Sequence, residues 1–130
     1  MFRIPLGFKN GDEFLRAVGT LREAAGASDA LIGVRGSAAT GLSRSRGVVG
    51  TDIGDIDFFI VSQELYDRAI ALGARAANGA LRVSATQRYF PRLAAAEKQL
   101  SEWLGIKTTV RIFSPEGFPK FANGFEVWEP

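Results

Sequence analysis

Two aspartates, Asp55 and Asp57, are separated by one residue in the run Asp55-Ile-Asp-Phe-Phe-Ile-Val61. The rest of this run is β-branched or aromatic and predicts a buried β-strand, in which aspartate is disfavoured. Alternate strand residues point to the same face, which puts the two Cα atoms roughly 6.5 Å apart. Two carboxylates this close repel each other unless a cation lies between them. Since such oxygens suit Mg²⁺, we predict that Asp55 and Asp57 are metal ligands and catalytic residues. The alternative is a solvent-facing strand end.

A glycine-serine pair, Gly36-Ser37, follows a second predicted strand at residues 30–34. Backbone N–H groups at such a turn are open to a phosphate. Together with the aspartates, the pair indicates a site for a nucleoside triphosphate bound with Mg²⁺. The alternative is an ordinary turn after a strand.

The segment from residue 31 to residue 50 contains three arginines, Arg35, Arg44 and Arg46, and no acidic residue. Guanidinium groups pair readily with phosphate oxygens. We therefore predict that these arginines contact the phosphates or the acceptor of the transferred group. Two alternatives stay open: Arg35 forms a salt bridge with one of the aspartates, and Arg44 and Arg46 are solvated loop charges.

The composition excludes several kinds of chemistry. The chain has 130 residues, a net charge of +2, and neither cysteine nor histidine. Disulfides, thiolate chemistry and Ser-His-Asp catalysis are therefore impossible, and a zinc site would need carboxylates alone. No apolar run approaches the ~20 residues that span a bilayer, and the first residues do not resemble a signal peptide. We expect one soluble domain, residues 1–130, that acts in the cytoplasm without a membrane partner.

Apolar periodicity and turn residues predict the elements that must position these side chains. The predicted helices cover residues 11–26, 62–77 and 91–105, and the predicted strands cover residues 30–34, 55–61 and 108–114. Residues 37–51 are predicted as loop, residues 79–83 as a short extended piece, and residues 115–130 as an irregular tail. The aromatic residues of the tail are predicted to pack in the core, and the alternative is that they are platforms on which bases stack. This order predicts an α/β (α+β) fold, a small mixed β-sheet packed with helices. Strand alternation places Ile56, Phe58 and Ile60 opposite the face that carries the aspartates.

The order Gly36-Ser37, then Asp55-Ile56-Asp57, resembles the signature of the DNA polymerase β-like nucleotidyltransferase superfamily. The string Arg35-Gly-Ser-Ala-Ala-Thr-Gly41 with Gly54-Asp-Ile-Asp-Phe58 is similar to a subgroup found as C-terminal toxin domains of large secreted bacterial proteins. The resemblance is local to about residues 31–62. It implies a nucleotidyltransferase-like core, a triphosphate held at the glycine-serine turn, and Mg²⁺ on the paired aspartates. It also implies transfer to RNA, tRNA being one option, or to protein, and an immunity protein that covers the cleft.

One departure from this family concerns its third carboxylate, which a later strand supplies to help deprotonate the acceptor hydroxyl. The matching strand here, residues 108–114, has Arg111 as its central polar residue. Arg111 is predicted either to neutralise phosphate charge or to cap the sheet edge in water. Glu116, Glu126 and Asp52 are the carboxylates that could enter the site from elsewhere.

Three functions follow from these observations. The first is Mg²⁺-dependent transfer of a nucleoside monophosphate from an NTP to a hydroxyl of RNA or protein, in a bacterial toxin. The second is a degenerate nucleotidyltransferase-like module that binds nucleotide or nucleic acid without turnover. The third, an antibiotic-modifying nucleotidyltransferase, is disfavoured because such enzymes commonly carry an acidic drug cleft, whereas the loop here is basic.

Overall fold

The computed structural model describes residues 8–36, 42–43, 48–49, 55–122 and 126–129. These residues form a mixed α/β fold in which four helices pack against a six-stranded sheet. The helices are α1 (Gly11–Ala25), α2 (Gln63–Ala71), α3 (Val83–Tyr89) and α4 (Pro91–Leu104). The strands are β1 (Leu31–Arg35), β2 (Leu42–Ser43), β3 (Val48–Val49), β4 (Asp55–Val61), β5 (Ala76–Ala77), β6 (Ala80–Leu81), β7 (Lys107–Phe113) and β8 (Val127–Trp128).

The main sheet has the strand order β5-β6-β7-β4-β1-β8. Its centre is β4, which pairs antiparallel with β1 and parallel with β7. The first residues of β4 and β7 and the last residues of β1 therefore meet at one edge of the sheet, and Asp55, Arg35 and Lys107 all lie there. Strands β2 and β3 form a separate antiparallel pair.

The helices cover one face of the sheet, where the larger core lies. Ile56, Phe58 and Ile60 pack there with apolar residues of α1, α2 and α4. A smaller aromatic core occupies part of the opposite face, called here the open face, and includes Phe59 and Val61. The separation of these two clusters confirms the predicted alternation along β4.

Local signals set most helix ends as the sequence predicted. The Asn10 side chain accepts a hydrogen bond from the Glu13 backbone N–H at 2.9 Å and begins α1. Ser62 does the same for the Leu65 N–H at 3.1 Å and begins α2. Pro91 is the first residue of α4, and the helix ends at Gly105. Strands β1, β4 and β7 match their predicted positions within one residue.

Four predictions of local structure were wrong. Helix α2 ends at Ala71, six residues before the predicted end, because residues 76–77 pair with β6 in a hairpin. The extended piece at 79–83 ends at Leu81, and α3 follows it unpredicted. The predicted loop 37–51 contains the β2–β3 pair, and the predicted irregular tail contains β8, which pairs with β1. Among the described residues, none of the helices combines the length and apolar character needed to traverse a bilayer.

Candidate active site

The paired aspartates lie on the open face at the start of β4, and both are partly buried. Asp57 has Arg35 of β1 as its register partner on one side and Thr109 of β7 on the other. Asp55 pairs with Lys107. Because directly paired residues share a face, a carboxylate pair, two cations and a hydroxyl meet at this corner of the sheet.

The turn at Gly36 lies beside the aspartates, since β1 ends where β4 begins. Gly36 has a backbone φ of +80°, a conformation that L side chains rarely adopt. A Cβ at this position would lie 3.2 Å from Asp57 Oδ2, tighter than an ordinary contact. Glycine therefore lets the backbone at the end of β1 approach that carboxylate oxygen closely. Ser37, Arg44 and Arg46 lie outside the described residues, and their roles stay predictions.

Thr109 holds the Asp57 carboxylate from the neighbouring strand. Its hydroxyl Oγ1 donates to Asp57 Oδ1 at 2.6 Å, a distance typical of a hydrogen bond to an ionised acceptor. One oxygen of Asp57 is thereby fixed, while Oδ2 faces the Gly36 turn. Sequence reasoning missed Thr109, although the signal was present: it lies two residues before Arg111, which places both on one face of a strand.

The two carboxylates of the pair act on each other electrostatically. Partial burial, then the charge of Asp57, raises the pKa of Asp55, and the positive charge of Lys107 opposes this shift. Two adjacent carboxylates fit Mg²⁺, which usually takes one or two carboxylates and completes its shell with water and substrate phosphates. Within the described ranges, no group of three or more carboxylate, imidazole or thiol side chains is placed to hold a metal.

Two guanidinium groups converge at the Phe113 ring, on the face that carries the carboxylates. The Arg35 Cζ lies 5.5 Å from the ring centroid of Phe113, and the Arg111 Cζ lies 5.3 Å from the same centroid. Arg111 Nε donates to the Leu81 carbonyl at 2.7 Å, which fixes its planar group. Burial, then the charges of Arg35 and Arg82, lower the pKa of Arg111, with Asp57 opposing. This is a locally crowded positive region that an anion would stabilise.

The alternative role of Arg35, a salt bridge with one of the aspartates, is not observed: among described side chains, no ion pair joins Arg35 to Asp55 or Asp57. Of the two roles predicted for Arg111, capping the sheet edge in water fits its surroundings less well than neutralising charge on the open face. Arg111 is partly buried between aromatic rings and a backbone carbonyl.

The third carboxylate of the family pattern has no counterpart on β7, whose residues on this face include Lys107, Thr109 and Arg111. Glu116 follows the far end of β7, away from the aspartates, and Glu126 precedes β8. Asp52 lies outside the described residues. Of the predicted site residues that are described, the structure thus brings together Arg35, Gly36, Asp55, Asp57 and Arg111.

No family model, no curated protein and no solved structure matches this chain. The resemblance to nucleotidyltransferases therefore stays a hypothesis.

Proposed function

We propose that the chain is a Mg²⁺-dependent nucleotidyltransferase that moves a nucleoside monophosphate from an NTP to a hydroxyl of RNA or protein. One observation carries this proposal. Asp55 and Asp57 share a face beside the Arg35-Gly36 turn, at the edge where β1 ends and β4 begins. A repelling carboxylate pair next to a glycine turn, with two arginines on the same face, is suited to a metal-bound polyphosphate.

In the proposed reaction, the acceptor oxygen forms a bond to the α-phosphorus, and the bond from that phosphorus to the bridging oxygen breaks to release pyrophosphate. The proton of the acceptor hydroxyl passes to solvent water. Asp55 and Asp57 would hold Mg²⁺, which supplies charge neutralisation and orientation of the phosphates. Thr109 keeps the Asp57 carboxylate in one orientation. Gly36, with Ser37 by the motif, would bind the triphosphate, while Arg35 and Arg111 offset the charge of the departing pyrophosphate.

The setting of this activity is proposed from the resemblance. A domain of this type would act in the cytoplasm of a target cell, after delivery as part of a larger secreted bacterial protein. It would travel with an immunity protein that covers the cleft.

The transfer of label tests the activity directly. Protein, MgCl₂ and each α-labelled NTP are incubated with total RNA or with cell lysate, and labelled product is separated on gels. We expect labelled RNA or protein with the unaltered chain and none with the double variant Asp55→Asn, Asp57→Asn. The exposed Glu102→Gln variant on α4 is the matched charge control. Absence of label with every NTP, or undiminished transfer by the double variant, would refute transfer.

The second candidate is a nucleotide-binding module without turnover. The residues that β7 presents beside Asp57 favour it, because Lys107, Thr109 and Arg111 offer no carboxylate to take the acceptor proton. Calorimetry separates the two candidates. Mg²⁺-dependent NTP binding without labelled product supports the module, whereas RNA binding without metal dependence supports a purely electrostatic role.

A further inference from the structure

The aromatic residues of the C-terminal segment differ in their exposure. Phe118 is buried in the aromatic core with 6% of its surface exposed, and Phe121 is partly buried. Trp128 has 38% of its surface exposed. The prediction that the tail aromatics pack in the core therefore describes Phe118 well and Trp128 only in part.

The Trp128 ring is held in a defined position on the open face. Its centroid lies 4.7 Å from that of Phe59 and 5.2 Å from that of Phe118, with near-perpendicular planes in both cases. The register partner of Trp128 is Gly33, where a Cβ would come within 2.4 Å of the Phe59 ring. The absence of a side chain at Gly33 thus lets Phe59 reach the indole.

Strand β8 itself is anchored although it is short. The Glu129 backbone N–H donates to the Ile32 carbonyl at 2.9 Å, and the Glu129 carboxylate accepts from the Ile32 N–H at 3.2 Å. The same carboxylate forms an ion pair with Arg22 of α1. These bonds extend the contact between β8 and β1 and fix where Trp128 lies.

The position of Trp128 relative to the aspartates follows from the register. Arg35 pairs with Asp57, and Gly33 pairs with Trp128. Trp128 therefore lies two strands away from Asp57 in the sheet, and two residues away along the strand direction. Strand spacing and rise per residue put the two Cα atoms about 12 Å apart. The face thus carries the carboxylate pair and a partly exposed indole two strands apart.

We infer that Trp128 stacks against the base of the bound NTP. This inference rests on the proposed function and adds the subsite for the base. Because the aspartates and the indole share one face, a nucleotide whose metal-bound phosphates lie at the aspartates can place its base over Trp128. An indole already fixed by two phenylalanines loses little conformational freedom when a base stacks on it.

Stacking on aromatic side chains tolerates any base, because every base has a π-face. From the usual effect of removing such a side chain, Trp128→Ala is expected to weaken NTP binding by about 5- to 100-fold. Trp128→Phe retains a smaller aromatic surface, so its loss of affinity should be smaller.

The chain offers a matched pair of variants, since it contains only two tryptophans. Trp103 on α4 is 41% exposed, close to the exposure of Trp128, and lies under the Arg16 guanidinium at 4.9 Å. Trp103→Phe leaves Trp128 as the single emitter, and Trp128→Phe leaves Trp103. Both are titrated with MgCl₂ and nonhydrolysable analogues of ATP, GTP, CTP and UTP, with free tryptophan amide correcting for absorption. Equilibrium dialysis with labelled analogue measures affinity independently.

We expect saturable quenching in the Trp103→Phe protein, none in the Trp128→Phe protein, and weaker dialysis binding for Trp128→Ala. Urea unfolding shows whether each variant is folded. If Trp128→Ala is not folded, Trp128→Phe replaces it in the dialysis measurement. Analogue binding with unchanged affinity in both Trp128 variants would overturn the stacking inference alone. If only a single-stranded oligonucleotide quenches the Trp103→Phe protein, Trp128 contacts the acceptor and not the NTP base, which would also overturn the stacking inference. No analogue bound by the unaltered chain in dialysis would overturn the proposed function and the inference together.

Discussion

Removing one charge of the carboxylate pair should stabilise the protein when no metal is bound. Asp55→Asn abolishes the repulsion with Asp57 and replaces a partly buried charge by a neutral amide of similar shape. At the strand spacing of roughly 6.5 Å, two unit charges repel by about 0.6 kcal/mol in water and by about 2.6 kcal/mol at an effective dielectric constant of 20. Because Asp55 keeps contact with solvent and loses the attraction of Lys107, we expect a gain of about 1 kcal/mol in the free energy of unfolding.

The gain in stability from Asp55→Asn should depend on pH. Burial and Asp57 raise the folded-state pKa of Asp55 above its unfolded value. In the unaltered chain, the contribution of Asp55 to the free energy of unfolding is therefore fully present below the pKa of the unfolded state. It is lost as pH rises through the pKa of the folded state. The advantage of Asp55→Asn should appear over that same rise and vanish in acid.

Urea unfolding across the acid and neutral range, with and without MgCl₂ and an NTP analogue, measures the effect. Mg²⁺ and the NTP analogue should reduce the difference in free energy of unfolding between Asp55→Asn and the unaltered chain, since they bind and stabilise the unaltered chain. Asp57→Asn should gain less than Asp55→Asn, because the Thr109 hydroxyl loses its charged acceptor. Glu102→Gln, which removes one exposed charge from α4, is the control. A destabilised Asp55→Asn at neutral pH, or a gain that does not change with pH, would refute the reasoning.

Three further stability predictions can be checked by urea unfolding. Glu97→Ala should cost about 2 kcal/mol, because it leaves the buried Val110 N–H without the carboxylate that accepts from it at 2.9 Å, whereas Glu97→Gln should cost less; equal losses would contradict this. Ser62→Ala should cost about 1 kcal/mol through the lost helix cap. The Ser62 hydroxyl also donates to Asp29 and lowers its pKa, so the unaltered chain should lose stability as pH falls through that lowered pKa. This loss should be smaller in Ser62→Ala, and an equal loss in both proteins would count against the Ser62–Asp29 hydrogen bond. Gly33→Ala should cost roughly 1–3 kcal/mol, since its Cβ would lie 2.4 Å from an aromatic carbon of β4, and a neutral effect would disprove the close packing.

The parts of the fold that depend on local chemistry could be predicted from the sequence. The caps at Asn10 and Ser62 and the stop at Gly105 each act within one helical turn. The shared face of Asp55 and Asp57 follows from strand alternation, which holds for any partner strand. Such features need no knowledge of how the chain returns on itself.

One local signal was present and was missed. Asn78 and Gly79 both have positive φ, 56° and 79°, and form the two-residue turn between β5 and β6. An Asn-Gly pair is a strong hairpin signal because its backbone twist matches that of the flanking strands. The alanines before it favour helix, which extended the predicted α2 to residue 77, but their pairing with β6 prevailed.

Contacts between distant residues could not be predicted, because they depend on strand order. The Thr109–Asp57 bond joins residues 52 positions apart and exists because β7 pairs parallel with β4. The place of Trp128 beside Gly33 similarly requires β8 to add to the edge of β1. Periodicity indicates which face a residue takes within its own strand, and only the register decides which side chains meet.

A crystal structure with Mn²⁺ in place of Mg²⁺ and a nonhydrolysable NTP analogue tests the central claim most directly. Anomalous scattering locates the metal without reference to activity. The account predicts a manganese peak bound by carboxylate oxygens of both Asp55 and Asp57 and by oxygens of the analogue's phosphates. A well-ordered analogue whose metal lies away from these two carboxylates would contradict it.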